Sequence, residues 1–363
     1  MADLFSPVSF ECGVVAKNRL ALAPLTNGQS NEDGTLADEE LRWLARRAAG
    51  GFGVVETCAS HVSRDGKGFD GQLGIFDDAL MPGLTRLAAG VSQAGALGLV
   101  QLYHGGVRSP SRLTGGQPLS ASVFDEGKPG FEVPRAASGD ELERIIDDFA
   151  RAAQRAERAG FAGVEIHAAH GYLLSQFLSR TMNLRNDAWG GAIEGRARLV
   201  RSVTARIRAA VGRRFVVGVR LSPEDFGQAH GLDLDESVTT ARWLAEDGAD
   251  FIHVSLWDYT KKSAKYPAEH ALPRFRQALP AEVLVMAAGK VWSRADAEAL
   301  HGLGADLVSV GRAAILDPDW PEHVRDPSFE PVRGPLSAEA LMASDISPRF
   351  VEYLRRFRNM VAG

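Results

Sequence analysis

The stretch FAGVEIHAAHGYLLSQFLSRTMNLRNDAWGGAIEGR, residues 161–196, decides the fold of this chain. Its run Ala162–Ile166 is short and apolar and follows a helix-like segment that ends at Gly160, as a buried parallel strand would. Three polar side chains follow within six residues: His167, His170 and Tyr172. In a barrel of alternating strands and helices, the carboxyl ends of the strands carry the chemistry. These groups are therefore candidates to hold an anionic oxygen and to deliver a proton.

The rest of the chain repeats this alternation of strands and helices. Eight segments are predicted to be strands: Arg19–Ala23, Gly53–Thr57, Leu97–Tyr103, Ala162–Ile166, Phe215–Leu221, Phe251–Ser255, Val283–Ala287 and Asp306–Val310. Helices are predicted between them: Ala37–Ala49, Ala79–Ala94, Gly139–Ala159, Glu194–Ala210, Leu234–Asp247 and Ser293–Leu303. Strands separated by helices pair in parallel, and eight strands close a barrel. The sequence therefore predicts an α/β protein with a single (β/α)8 TIM barrel, and an open doubly wound sheet is the alternative.

We expect one domain over residues 1–363, with the barrel at about 19–320. An N-terminal hairpin is predicted over residues 4–18, with its turn near Cys12 and Gly13. It precedes the first barrel strand, so it is expected to be an addition to the barrel.

Two longer segments also lie outside the strand-and-helix pattern. Residues 105–138 are rich in Gly, Pro and Ser and follow strand 3, where a lid or substrate cover is expected. The tail, about 335–363, is predicted to be helical, because four apolar residues fall at helical spacing: Phe350, Tyr353, Leu354 and Phe357. Such a helix packs either on the barrel or on a second copy of the chain in a homo-oligomer.

Composition and charge exclude several classes of protein. Hydrophobic residues make up 45% and charged residues 24%, which is typical of a globular core. The net charge of -5, without a block of Lys or Arg, indicates neither nucleic acid nor a membrane surface as a partner. The two cysteines, Cys12 and Cys58, form no disulfide framework. No signal peptide and no apolar run of roughly 20 residues is evident, so a cytoplasmic protein is predicted.

Polar residues at the ends of three predicted strands point to one face. Side chains alternate along a strand, which directs Gln101, His167 and Arg220 inward near the top of the barrel. Barrel interiors are normally filled with branched apolar side chains. The convergence indicates a planar, polar ligand with many hydrogen-bonding atoms, although each residue alone also fits an ordinary hydrogen-bonded core position.

The last two strands are followed by glycines, Gly289 and Gly311, and by Arg312. The loops after strands 7 and 8 are the usual phosphate site of this barrel. Glycine lets backbone N–H groups approach a phosphate, and arginine adds a bidentate fork. The alternative is a pair of glycine turns beside a surface arginine. No G-x-G-x-x-G motif follows strand 1, so a Rossmann domain is not predicted.

His167 and His170 form an H-x-x-H pair, which raises the question of a metal site. Catalytic zinc takes about three protein ligands. A third ligand would come from one of four other histidines, His61, His104, His230 and His253, and nothing in the sequence singles one out. No metal is predicted.

Five spaced motifs carry a resemblance to a known family: NRLALAPLT at 18–26, QLYHGG at 101–106, HAAHGYLLSQFLS at 167–179, VGVRLSPEDF at 217–226 and ADLVSVGRAAILDPDW at 305–320. With these motifs the chain resembles the Old Yellow Enzyme family of FMN-dependent ene-reductases. The resemblance runs from about Leu4 to Trp320. It implies FMN as cofactor and NADPH or NADH as reductant. The reductant and a small enone-type substrate would bind in turn in the same pocket.

The resemblance also implies roles for individual residues. His167 and His170 would bind the substrate carbonyl oxygen, and Tyr172 would protonate the α-carbon. Contacts to FMN are implied for nine residues: Pro24, Leu25, Thr26, Thr57, Gln101, Arg220, Gly289, Gly311 and Arg312. Among these, Gln101 would bond the pyrimidine edge, Arg220 would lie beside N1 and O2, and the last three would hold the phosphate.

Departures from the family pattern bear on the substrate. Several relatives have a tyrosine where this chain has Gly28, which implies a more open pocket, with Tyr103 and Trp257 as candidates to line it. The chain lacks the cysteine cluster of relatives with a fused iron–sulfur domain, so the stand-alone type is expected. An FMN-dependent amine or N-methyl dehydrogenase is the alternative function. The paired imidazoles favour a carbonyl substrate over an amine.

Overall fold

The computed structural model describes residues 3–363 and contains a closed barrel of parallel strands. In chain order the strands are β1 (Leu20–Leu22), β2 (Val54–Glu56), β3 (Leu97–Tyr103), β4 (Gly163–Ala168), β5 (Val216–Leu221), β6 (Phe251–Ser255), β7 (Leu284–Ala288) and β8 (Leu307–Val310). Strand β1 pairs in parallel with both β8 and β2, and this closes the ring. The predicted (β/α)8 barrel is confirmed, and the open sheet is excluded.

Helices surround the barrel: α1 (Asp38–Ala49), α2 (Met81–Ser92), α3 (Ser111–Thr114), α4 (Gly139–Ala159), α5 (Leu173–Leu178), α6 (Ile193–Arg196), α7 (Arg198–Ala210), α8 (Leu234–Glu246), α9 (Ala271–Ala278), α10 (Arg294–Gly302), α11 (Arg312–Leu316), α12 (Trp320–His323), α13 (Ala338–Met342) and α14 (Pro348–Leu354). Short 3-10 turns cover Arg64–Gly66, Asp78–Leu80 and Gly106–Arg108. Helix α4 begins with a capping box between Ser138 and Glu141 and ends at Gly160, whose φ of 94° suits glycine. None of the helices in residues 3–363 is long and apolar enough to cross a membrane.

Most predicted bounds differ from the observed ones by no more than two residues. The predicted helix over 194–210 is in fact two helices, α6 and α7, which meet at Ala197. Helix α9 was not predicted, because its eight residues, ALPRFRQA, include a proline and three charged or amide side chains that obscure its apolar face. Helix α8 begins after Asp233, whose carboxylate caps it by accepting from Asp235 N and Glu236 N.

The interior of the barrel is apolar at its N-terminal end. The predicted hairpin is confirmed: Val8–Ser9 pairs in antiparallel fashion with Val15–Ala16. Its Phe10 ring lies 5.9 Å from the Phe251 ring inside the barrel. Gly218 provides the space for the Phe251 ring, because a Cβ at position 218 would come within 2.0 Å of that ring. The hairpin therefore closes the base of the barrel and leaves the other end for polar groups.

The C-terminal tail packs on the barrel of its own chain, which is one of the two predicted arrangements. Phe350 in α14 is buried, and its ring meets the Trp43 ring of α1 edge-on at 5.6 Å. The buried Arg47 guanidinium donates to Ser344 O at 2.6 Å and to Ile315 O at 3.2 Å. These bonds join the tail to helix α11, which follows β8, so the tail is held beside the barrel mouth.

Candidate active site

A cavity of about 480 Å³ opens at the carboxyl ends of the barrel strands. Every predicted site residue except Thr57 lines it. Thr57 lies behind the wall, where its Oγ1 accepts from Gln101 N at 3.2 Å and donates to Cys58 O at 2.8 Å. The structure thus brings together residues from all parts of the chain into one site of the size that small ligands occupy.

The expected cover over residues 105–138 is wrong, since no residue of that segment lines the cavity. The segment pairs its own short strands, Leu119–Ser120 and Arg135–Ala136, and Arg108 forms an ion pair with Glu126 at 2.9 Å. The outer wall comes instead from the tail, through six residues: Phe350, Tyr353, Leu354, Phe357, Arg358 and Met360. An insertion with its own internal contacts need not reach the barrel mouth, whereas the tail is held there.

His167 presents a hydrogen-bond donor to the cavity. Its Nδ1 accepts from Ala169 N at 3.3 Å, so the proton of the neutral ring resides on Nε2. Burial, together with the neighbouring His170 ring and the Arg220 charge, lowers the pKa of His167 well below its ordinary value. The ring is therefore neutral at pH 7 and can donate a hydrogen bond to an oxygen in the cavity.

His170 stands 5.0 Å from His167, measured between ring centroids, with the two planes nearly perpendicular. Its Nε2 is 2.7 Å from Ser255 Oγ, and the same oxygen accepts from Arg220 Nη2 at 3.3 Å. Because arginine only donates, the Ser255 hydroxyl can itself donate to His170 Nε2, an arrangement in which the ring proton lies on Nδ1. Desolvation and the Arg220 charge lower the pKa of His170 well below its ordinary value, so this ring is also neutral.

Tyr172 completes the group. Its ring meets the His167 ring edge-on at 4.9 Å and the Tyr103 ring at 4.6 Å. Burial raises the pKa of the Tyr172 phenol, and the neighbouring Tyr353 raises it further. The phenol is therefore protonated and able to act as a proton donor. Tyr103 itself is buried and does not line the cavity, so it supports Tyr172 from behind.

Gln101 and Arg220 form the floor of the cavity, on the faces that the strand alternation predicts. The Arg220 side chain is buried, and none of its nitrogens forms an ion pair within residues 3–363. Its Nε has no hydrogen-bond partner. A buried cation without a counter-ion in contact, facing a cavity, is a site for a ligand that carries negative charge.

The phosphate-type end of the cavity lies after β7 and β8. Gly289 leaves no room for a side chain, since a Cβ there would be 2.8 Å from Tyr259 N. Lys290 lines the cavity but is paired with Asp258 at 2.8 Å. Arg312 is exposed and has no hydrogen-bond or ion-pair partner among the described residues. The Ser309 hydroxyl is buried and unpartnered. These groups can take up an anion.

Three residues of the site have weak or no signals in the sequence. Ser255 closes β6 as an ordinary serine, and its bridging role depends on strand order, since Arg220 lies on the neighbouring strand β5 and His170 follows β4, one strand further. Tyr353 belongs to the amphipathic tail. The spacing of its apolar residues predicted a helix but not that this helix would line the cavity. Trp257 was a candidate, and it lines the cavity rim, 49% exposed and stacked on Phe226 at 4.2 Å. Its φ of 61° is unusual for a bulky side chain.

Fold and site together define a barrel enzyme that holds an anionic, planar cofactor at its strand ends. A family model described as the NADH:flavin oxidoreductase / NADH oxidase family matches residues 3–327, and the chain belongs to this family, that of Old Yellow Enzyme. It is an FMN-dependent oxidoreductase that takes electrons from NADH or NADPH. The resemblance found in the motifs is confirmed.

Individual relatives show how far the similarity extends. The probable NADH-dependent flavin oxidoreductase YqiG of Bacillus subtilis is 38% identical over 89% of this chain and 88% of its own length. The NADH:acrylate oxidoreductase of Vibrio harveyi is 34% identical over 88% of this chain, which spans only 33% of that longer protein. The structure of an old yellow enzyme homologue from Zymomonas mobilis superimposes with a TM-score of 0.83, at 30% identity, over 95% of this chain and 99% of that one.

The residues of the cavity fit FMN. The Arg220 guanidinium in the floor, whose Nε has no partner among residues 3–363, suits the electron-rich pyrimidine of the isoalloxazine ring. The phosphate fits beside Gly289, where neighbouring atoms exclude any side chain, and beside Arg312 after the next strand, which has no partner among residues 3–363. The amide of Gln101 offers a further planar hydrogen-bonding edge in the same cavity.

Proposed function

We propose that this enzyme reduces the activated C=C bond of α,β-unsaturated carbonyl compounds, with NAD(P)H and substrate occupying the same cavity in turn in a ping-pong cycle. One observation carries the proposal: two neutral imidazoles and a protonated phenol face a single cavity, within 6.5 Å of one another by ring centroids. Bound FMN supplies the hydride chemistry, from the nicotinamide to the β-carbon of the alkene. The remaining chemistry falls to the chain.

Two donors bind the carbonyl oxygen of the substrate in this proposal. His167 offers Nε2–H and His170 offers Nδ1–H, and neither carries a positive charge in the resting enzyme. Negative charge develops on that oxygen as the β-carbon receives a hydride, and donors that are already oriented stabilise it most. Ser255 holds His170 in place, and Ala169 N holds His167.

Tyr172 delivers the proton in this proposal. The phenol lies beside the imidazole pair in the same cavity, so it is placed to protonate the α-carbon of the same substrate molecule. Its raised pKa keeps the proton on the oxygen until the α-carbon becomes basic. The transfer leaves a phenolate, which regains its proton from solvent after the product leaves.

The family motifs and the cavity support one placement of FMN. We assign Pro24, Leu25 and Thr26 to one side of the ring and Gln101 and Arg220 to its pyrimidine edge. The phosphate contacts in this assignment come from Gly289, Gly311 and Arg312. Thr57 contributes indirectly, because it holds the Gln101 backbone. The chain would act as one FMN-binding domain, in which the tail completes the wall. A cytoplasmic location and association with a second copy stay predictions.

A relative supports the choice of substrate class. The Vibrio harveyi protein is named for acrylate, an alkene conjugated with a carboxylate. A carboxylate oxygen and a ketone oxygen would both be recognised by paired N–H donors. The proposal therefore covers conjugated carbonyl compounds as a class.

The test separates the two half-reactions in stopped-flow experiments. Tyr172→Phe should slow alkene reduction by about 10²- to 10⁴-fold, the usual contribution of a general acid, while flavin reduction by NAD(P)H stays nearly unchanged. Tyr353→Phe is the matched control, since this second phenol lines the same cavity but belongs to the tail. Equal losses in both half-reactions of the Tyr172 variant would show that the phenol is not the proton donor.

A further inference from the structure

Three titratable side chains lie in the barrel beneath the cavity floor: Glu56 at the end of β2, Glu165 in β4 and His253 in β6. All three are 0% exposed and none lines the cavity. Their nearest polar atoms lie within 4.8 Å of one another. A buried charge destabilises a fold unless it is paired and hydrogen-bonded, and the FMN site described above assigns no role to these groups.

Glu165 is the centre of this layer. Its Oε1 accepts from Gln101 Nε2 at 2.7 Å, and its Oε2 accepts from His253 Nδ1 at 2.6 Å. The register places Gln101 directly opposite Glu165, so the short bond needs no distortion of the strands. Burial opposes ionisation, but His253, Arg220 and Gln101 together hold the pKa of Glu165 below its ordinary value. Glu165 is therefore a carboxylate with both oxygens engaged.

The bond to Glu165 also fixes the orientation of the Gln101 amide. An ionised carboxylate only accepts, so the amide nitrogen must face Glu165. The amide oxygen accepts no hydrogen bond from any residue in 3–363. Gln101 lines the cavity, so its donor and acceptor atoms meet a ligand in one fixed arrangement.

Glu56 is different, because no donor group within residues 3–363 bonds either of its carboxyl oxygens, and the polar group within its hydrogen-bonding range is the Glu165 carboxyl itself. An ionised carboxylate enclosed in the barrel without a single donor would be strongly unfavourable. Burial, and then the negative charge of Glu165, raise the pKa of Glu56 well above its ordinary value. The layer therefore holds two carboxyl groups, with one negative charge and one proton between them.

We propose that Glu165 is a positioning residue for FMN, the sole negative charge that residues 3–363 place beneath the cavity floor, and that Glu56 beside it is a neutral, protonated acid. Glu165 would fix the Gln101 amide and partly offset the Arg220 cation, and so set how readily the cofactor above accepts electrons. This inference rests on the placement of FMN over Gln101 and Arg220 proposed above. Glu165 and Arg220 lie in the adjacent strands β4 and β5, where Glu165 stands opposite Gly218, two residues before Arg220, so the two opposite charges are close neighbours.

Two isosteric substitutions, Glu165→Gln and Glu56→Gln, test the assignment. Infrared difference spectra of the apoprotein give the protonation states without any cofactor. The wild-type spectrum minus that of E56Q should contain the carbonyl band of a protonated carboxylic acid, and the E165Q difference should contain only carboxylate bands. Absence of the acid band for Glu56 would overturn the proposal. This would be the result if the three groups held a cation in place of the proton.

The midpoint potential of bound FMN gives the second measurement. E165Q removes a negative charge below the cofactor and should shift the potential to more positive values, whereas E56Q exchanges one neutral group for another and should leave it unchanged. A positive shift in E56Q equal to that in E165Q would overturn the charge assignment. If Glu165 had only a structural role, E165Q would not shift the midpoint potential to more positive values relative to E56Q.

Folding and cofactor placement are checked separately. If E165Q does not fold, the E56Q infrared band and potential still decide the protonation of Glu56. Glu165→Asp retains the charge but draws it away from Gln101 and His253, so it should weaken FMN binding and keep the potential. A wild-type protein that binds no FMN would refute the cofactor placement, while the apoprotein spectra would still report on the proton. The two failures are thus distinguishable.

Discussion

Arg312→Ala removes a guanidinium that has no hydrogen-bond or ion-pair partner among residues 3–363. It lies at the start of α11, directly after the last barrel strand, and lines the cavity. Because the side chain is exposed and unpaired, its loss should change the free energy of unfolding by no more than about 0.5 kcal/mol. The effect should instead appear in cofactor binding.

The expected magnitude follows from the bonds that are lost. A hydrogen bond between a charged donor and a phosphate contributes about 1.5–3 kcal/mol, and each 1.4 kcal/mol is about a tenfold change in affinity. The Kd for FMN should therefore rise by about 10- to 150-fold. Riboflavin has the same ring without the phosphate, so its Kd should not change.

The assay is a titration of apoprotein with FMN and, separately, with riboflavin, followed by quenching of flavin fluorescence. Arg213→Ala serves as the control, since Arg213 is also exposed but does not line the cavity. Equal weakening of FMN and riboflavin by Arg312→Ala would refute the phosphate role and would place the arginine beside the ring instead.

Three further predictions concern pH, hydrogen bonding and the cavity wall. Burial lowers the pKa of His61 to about 4, so between pH 6.5 and 4 the unfolded chain binds more protons than the folded one. The free energy of unfolding should therefore fall by roughly 3 kcal/mol as the pH is lowered over that range. In urea unfolding, His61→Gln should reduce this loss, and an unchanged pH dependence would contradict the prediction. Ser255→Ala removes the hydroxyl that bonds His170, so the affinity for an added phenol, whose oxygen would bind between the two imidazoles, should fall by about 2- to 10-fold in spectral titrations. An unaltered affinity would show that the Ser255 bond does not position His170. Tyr353→Ala opens the wall made by the tail and should raise kcat/KM for bulky enones relative to small ones; an unchanged ratio would remove the tail from substrate selection.

Local patterns were sufficient to predict most of the fold. Strands β3 and β6 and helix α4 have the predicted bounds, because each is bordered by strong signals such as the capping box at Ser138 and the glycine at 160. Helix α9 was missed because it is short and its apolar residues share the sequence with charged ones. The role expected for 105–138 was wrong because composition shows that a loop is long but not which way it folds.

The candidate site was predicted to a similar extent. Gln101, His167 and Arg220 could be assigned to the inner face because side chains alternate along each strand. The donor atoms of the two histidines could not be assigned, since they depend on Ala169 N and Ser255 Oγ. Which nitrogen carries the proton is a property of contacts, not of residue type.

The sequence by itself determined the eight-strand barrel, the imidazole pair with its phenol, and the glycines and arginine after the last strands. All of these depend on neighbours in the chain, through periodicity, capping and the polar residues at strand ends. Only the tertiary structure decided that Tyr353 of the tail lines the same cavity as Tyr172, and that Glu56, Glu165 and His253 share one layer beneath Gln101. Contacts across a closed barrel depend on strand order, register and the space left by side chains such as that of Phe251, and none of these is written in the spacing of residues along the chain.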